Sequence, residues 1–224
     1  MLPSQTDRPF RFGIALHMAA DRREWRASCR RAEQIGFDTI AVIDHLGKLA
    51  PFPALALAAE ATERVRLGTY VLDATFHSPA LLVRDVASTD LLTGGRLEIG
   101  LAAGRPSAGA DDLRQAGMPY PTRVAFVRTA LKERITQVEL NHEAPAVVIT
   151  TARRQALDRL RFLAPSLTTE ELGNVPGILV GTPAQIAEQI RSNRAKFGFT
   201  YITVLDGGLD GGLDAMALVI ELLR

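Results

Sequence analysis

Apolar runs open at Phe10, Thr39, Arg66 and Leu97, and this recurrence restricts the chain more than any other feature of it. A spacing of roughly thirty residues is that of a strand–helix–strand unit. Asp21 followed by Glu24 reads as a helix N-cap with its capping-box partner, and Gly36 stops that helix after Ile35. Further helices are expected over Pro53–Glu63 and Ala80–Leu92, the second ending at Gly94-Gly95. Strands that alternate with helices in this way form a parallel sheet, because parallel neighbours need crossover connections.

Beyond Gly104 the rhythm changes. A polar loop, Arg105–Gln115, precedes a helix near Arg123–Arg134, a strand over Val138–Ile149 that Pro145 can interrupt, and a helix near Ala152–Leu163. Thr182 caps a helix with Pro183 at its first position, ending near Phe197-Gly198. Tyr201–Leu205 is the last clear strand; the glycine-rich Asp206–Gly212 stretch and a terminal helix follow. Ile178–Val180 is too short to count, which leaves six strands. A full α/β barrel has eight strands in about 250 residues. The expected architecture is a parallel α/β fold about two βα units short of such a barrel, as one domain over residues 1–224 with residues 1–9 flexible.

Charge and cysteine content narrow the function classes. The formal charge of +1 gives no electrostatic footprint for nucleic acid or an anionic membrane. Cys29 is the one cysteine, so neither an intrachain disulfide nor a cysteine-rich zinc site is available, and a reducing cytoplasm is the expected location. The N-terminal residues lack a basic-then-apolar signal pattern, and the alanine- and leucine-rich stretch Pro51–Ala59 is too short and too interrupted to span a bilayer.

All four histidines, His17, His45, His77 and His142, stand where an apolar run gives way to polar or turn-forming residues. In parallel α/β folds active sites are built at the carboxyl ends of the strands. His45, directly after Asp44, is the leading catalytic candidate, since an imidazole can donate or accept a proton near neutral pH. His17 is the second, able to orient a substrate oxygen. His77, Arg105, His142 and Glu98 are candidates for substrate contact. The direction His142 faces depends on strand register. Glu98, between apolar Leu97 and Ile99, points either into the barrel or to a partner charge. No H-x-H or H-x-x-x-H spacing supports a metal site.

The segments RRAEQIGFDTIAVIDHL, ATERVRLGTYVL, SPALLVRDVASTDLLTGGRLEIGLAAG and VGTPAQIAEQIRSNRAKFGFTYITVLD resemble the luciferase-like monooxygenase superfamily, in particular its F420-dependent branch. The resemblance implies a TIM-barrel-like (β/α)8 fold, shortened by about two βα units in the middle, that binds F420 or FMN at its carboxyl-end face beside a small organic substrate, and a homodimer formed through the second and third helices. It implies that Asp73, Ala74 and Thr75 form a bulged loop behind the central ring of the cofactor, His77 following, and that Ala103 and Gly104 line the same site. Two features depart from the family: Gly104 is followed by Arg105 where relatives carry an aromatic residue, and the chain between Arg134 and Gln137 has no room for the fifth and sixth βα units, which hold much of the phosphate site. A phosphate needs backbone N–H groups at a helix N-terminus or a glycine-rich nest, and Gly181-Thr182 and Asp206–Gly212 are the best remaining candidates. Three functions stay open: a flavin- or F420-dependent oxidoreductase, a cofactor-independent acid–base enzyme such as a cyclase, isomerase or dehydratase, and a non-catalytic flavin-binding or partner subunit.

Overall fold

A computed structural model describes residues 8–102, 120–206, 209–210 and 212–224. The chain divides into two compact units, Gly13–Gly117, and Met1–Phe12 with Met118–Arg224.

The first unit is built from β1 (Arg11–Leu16, which enters it from Gly13), α1 (Arg22–Ile35), β2 (Thr39–Val42), α2 (Pro51–Ala61), β3 (Arg66–Thr69), β4 (Leu72–Asp73), α3 (Pro79–Leu92), β5 (Leu97–Glu98) and β6 (Leu101–Ala102). Strands β1, β2, β3 and β5 are parallel neighbours in chain order, with Leu16, Val42 and Thr69 in register. Helices on a sheet's faces leave its strands no wet side, so they read as continuous apolar runs, and Phe12, Ile14, Leu16, Ile40, Val42 and Leu67 are buried accordingly. Helix α1 follows its sequence signals at both ends: Asp21 accepts from the amides of Arg23 and Glu24, Glu24 accepts from the amide of Ala20, and Gly36 takes the left-handed conformation (φ 103°). Trp25 buries its ring under α2 and donates from Nε1 to the Ala54 carbonyl at 3.0 Å.

The third and fourth strands, expected to be continuous, each break in two at facing positions. The chain leaves β3 through a cis Tyr70–Val71 peptide and resumes as β4, which pairs with β6. Opposite it, Gly100 separates β5 from β6. The Thr69 hydroxyl donates to the Gly100 carbonyl (2.9 Å) and accepts from its N–H (3.0 Å), while the Leu72 amide donates to the same carbonyl (2.8 Å). A Cβ on Gly100 would lie 2.5 Å from the Thr69 carbonyl oxygen and 2.8 Å from Val71 Cγ1, so only glycine admits this approach. The irregularity therefore falls at residues 70–71, upstream of the Asp73–His77 loop where the bulge was expected.

In the second unit are α4 (Tyr120–Leu131), β7 (Leu140–Ala144), β8 (Ala146–Ile149), α5 (Arg153–Leu160), α6 (Thr169–Gly173), β9 (Ile178–Gly181), α7 (Pro183–Phe197), β10 (Phe199–Leu205), β11 (Leu209–Asp210) and α8 (Ala217–Leu223). Pro145, which has no N–H for the ladder, divides β7 from β8. Strand β7 pairs in parallel with β10, and β8 lies between β11 and β9. Ile178–Val180, set aside as too short, belongs to a buried parallel strand, Ile178–Gly181, whose apolar residues pack with Ala146, Val148, Leu157 and Leu172. Helix α6 starts at a complete capping box between Thr168 and Glu171. Among the described residues no helix is long and apolar enough to cross a membrane.

Candidate active site at the strand ends

The in-register carboxyl ends of β1, β2 and β3 bring the loops that follow them to one edge of the first unit. His17 directly follows β1. Its ring is half-buried, and Nδ1 is shut off from solvent with no hydrogen-bond partner. A buried imidazole nitrogen left in this state costs free energy unless a ligand satisfies it.

Asp44, two residues beyond β2, ties the adjoining loops together. Its Oδ2 accepts from His77 Nε2 at 2.9 Å and from the Asp73 amide at 3.1 Å. The Asp44 and His77 side chains are only 12% and 20% exposed, so solvent screens the pair weakly. A carboxylate can only accept, so His77 Nε2 carries a proton, and in the neutral ring Nδ1 is the acceptor. Phe52 from α2 meets the same ring edge-on at 6.3 Å and helps fix its plane. Sequence reasoning passed over Asp44 because its partner lies 33 residues away. The usable signal was an acidic residue at a strand end next to a candidate histidine.

Asp73, Ala74 and Thr75 form one turn of 3-10 helix at the end of β4. The Asp73 carboxylate accepts from the Thr75 hydroxyl (2.6 Å) and amide (2.9 Å), and these bonds, with His77 and His45 nearby, hold its carboxyl below the usual carboxylate range. His45 is exposed, and its carbonyl accepts from the Lys48 amide at 3.0 Å. Ala103, Gly104 and Arg105 lie outside the described residues.

The other candidates lie elsewhere. Glu98 does not project freely toward the strand ends; it pairs with Arg66, the first residue of β3, at 3.0 Å. His142 corrects the picture of four imidazoles at carboxyl ends. It is the third residue of β7, 4% exposed, and stacks at 4.9 Å on Phe199, the first residue of β10. Burial pushes its pKa down to about 4, against a smaller opposing effect from the Pro176 backbone. Gly181-Thr182 is not an open phosphate cradle: the Thr182 amide donates to Gln185 Oε1 (2.9 Å), its hydroxyl accepts from the Gln185 amide (3.3 Å), and a Cβ on Gly181 would come 2.7 Å from Gln185 Oε1. Cys29 is fully buried, and burial pushes its thiol up to about 12, outside the range of a reactive thiolate.

Polar loops gathered on the carboxyl edge of a parallel sheet are the arrangement in which α/β folds as a class carry their ligand crevices. The sequence profile of the luciferase-like monooxygenases matches residues 8–132, more than half of the chain, and the chain belongs to this family. It is 36% identical over 116 residues to the F420-dependent glucose-6-phosphate dehydrogenase of Intrasporangium calvum, a match covering 47% of this chain and 34% of that protein. It is 33% identical over 97 residues to the 4-hydroxyprotoasukamycin monooxygenase of Streptomyces nodosus subsp. asukaensis, covering 41% of this chain and 24% of that one. The matched stretch spans about a third of the length of the F420-dependent relatives. Among solved structures, the coenzyme F420-dependent tetrahydromethanopterin reductase of Methanopyrus kandleri superposes with a TM-score of 0.72 at 13% identity, over 97% of this chain and 100% of the other. A long-chain alkane monooxygenase gives 0.71 at 11% identity, over 96% and 91%. At these identities the likeness shows the fold, the TIM-barrel-like α/β class.

Proposed function

We propose that the chain is an F420- or FMN-dependent oxidoreductase acting on a small organic substrate at the carboxyl ends of β1 to β4. The observation that carries this reading is the double acceptance by Asp44, which orients His77 and anchors the Asp73–Thr75 turn on one carboxylate. The residues present suit a ring-shaped cofactor: His17 Nδ1 is a buried polar atom in need of a partner, and the Asp73-Ala74-Thr75 turn offers backbone at the same edge. When bound, the ring supplies the hydride chemistry. The chain's own residues place the substrate and move protons. In the neutral ring His77 presents Nδ1 as an acceptor, His45 stands open to solvent beside it, and His17 holds a polar atom of the ligand. Visible-absorbance titration with F420 and with FMN tests the proposal. Saturable binding of one of them, weakened by Asp44→Asn, is expected; binding of neither overturns it.

The engaged donors of Gly181-Thr182 favour a second reading, in which the same imidazoles perform acid–base chemistry without a cofactor. Turnover of an isomerase or dehydratase substrate that survives cofactor removal and is lost in His77→Gln would establish it. The homodimer belongs to the same proposal. Leu81, Val83, Leu91 and Leu92 on α3 are 51 to 80% exposed, an apolar surface that a second copy would cover. Sedimentation of the purified chain as a monomer at micromolar concentration would exclude that assembly.

A further inference from the structure

Helix α1 carries Arg22, Arg23, Arg26 and Arg30 within about 100° of arc, spread over roughly 12 Å of helix. With the N-cap Asp21 they line a cleft of about 490 Å³. Like charges at helical spacings of three and four repel, and such rows are ordinarily interleaved with carboxylates. Here the nearby carboxylates serve the backbone. Asp21 accepts from the amides of Arg23 and Glu24, Glu24 from that of Ala20, and Glu33 from those of Glu63, Arg64 and Val65. Among the described residues none of the four guanidinium groups has a hydrogen bond or ion pair, and Arg26 Nε is withdrawn from solvent with its N–H unsatisfied.

We infer that this flank of α1 is a binding site for a small polyanion, a molecule bearing two or more phosphate or carboxylate groups. Guanidinium forks match both groups bidentately. Asp21 at the cleft edge tempers the field, leaving four cations against one carboxylate. The near-zero net charge of the whole chain favours a compact ligand over nucleic acid, which needs an extended basic surface. The site is independent of the proton-handling cluster around Asp44, so it stands or falls separately from the proposed redox activity.

Isothermal titration of the cofactor-free chain at low ionic strength, with inorganic pyrophosphate and with citrate as probes, provides the test. Expected is one-to-one binding of pyrophosphate that weakens about tenfold or more in R26Q/R30Q and in R22Q/R23Q. The exposed Arg159→Gln on α5 should bind as the parent does. Citrate binding at the same site identifies carboxylates as alternative ligands, and its absence restricts the site to phosphates; both outcomes support the inference. Thermal melts distinguish loss of the site from loss of the fold, because relief of repulsion should leave both double variants at least as stable as the parent. No binding by the parent chain, equal binding by both double variants, or tighter binding of a short DNA duplex than of pyrophosphate overturns it.

Discussion

His77 and His142 are the same side chain in two environments. His77 stands at a strand end with a carboxylate 2.9 Å from Nε2 and an aromatic edge beside it. His142 stands inside a strand, stacked flat on Phe199, and burial holds it neutral until the medium is strongly acidic. The first has its ring oriented by an acceptor at a strand end, while the second fills core space and becomes a liability in acid. Position relative to the end of the strand, more than the identity of the residue, separates the two roles.

The largest effect expected from this contrast is on catalysis. His77→Gln should lower turnover by roughly 10²- to 10⁴-fold with little change in a urea melt, and near-normal turnover would remove His77 from the chemistry. Next is acid stability. His142 releases its proton more readily folded, near pH 4, than unfolded, near 6.5, so the unfolded chain binds more protons between those values. Its share of stability is complete above about pH 6.5 and falls by about 3 kcal/mol as the pH drops through 4. His142→Leu should flatten that part of the profile in urea melts at neutral pH and at pH 4, and a variant that stays as acid-sensitive as the parent breaks the comparison.

Asp44→Ala should cost about 1–3 kcal/mol by stranding the His77 Nε2–H and Asp73 N–H donors, read as a lower urea midpoint. His77→Gln, which keeps an amide able to reach Asp44, should lose less. The smallest effect is local. Thr75→Val deletes one of the two bonds that hold the Asp73 carboxyl low, and an NMR titration should show that carboxyl moving back toward the ordinary range.

Much of the first unit was legible because its signals are local. The cap at Asp21, the stop at Gly36 and the thirty-residue spacing act within a few turns of chain, and α1 runs from Arg22 to Ile35 as read. The N-terminus of α7 at Thr182-Pro183 was legible for the same reason. Strand β9 was missed because a short apolar run declares itself only through its neighbours, here Ala146 to Ile149. The paired breaks at 70–71 and 99–100 were missed because a fit between Gly100 and Thr69 leaves no periodic trace.

Sequence alone determined where α1 and α7 start and stop, that the strands run parallel, and that polar residues follow the first three of them, since backbone hydrogen bonding, capping and hydrophobic period are short-range. Tertiary structure alone decided that Asp44 would hold His77, that Arg66 would take Glu98, and that His142 would be buried against Phe199. Those outcomes depend on which side chains meet across strands and loops tens of residues apart, and on how much water is left between them.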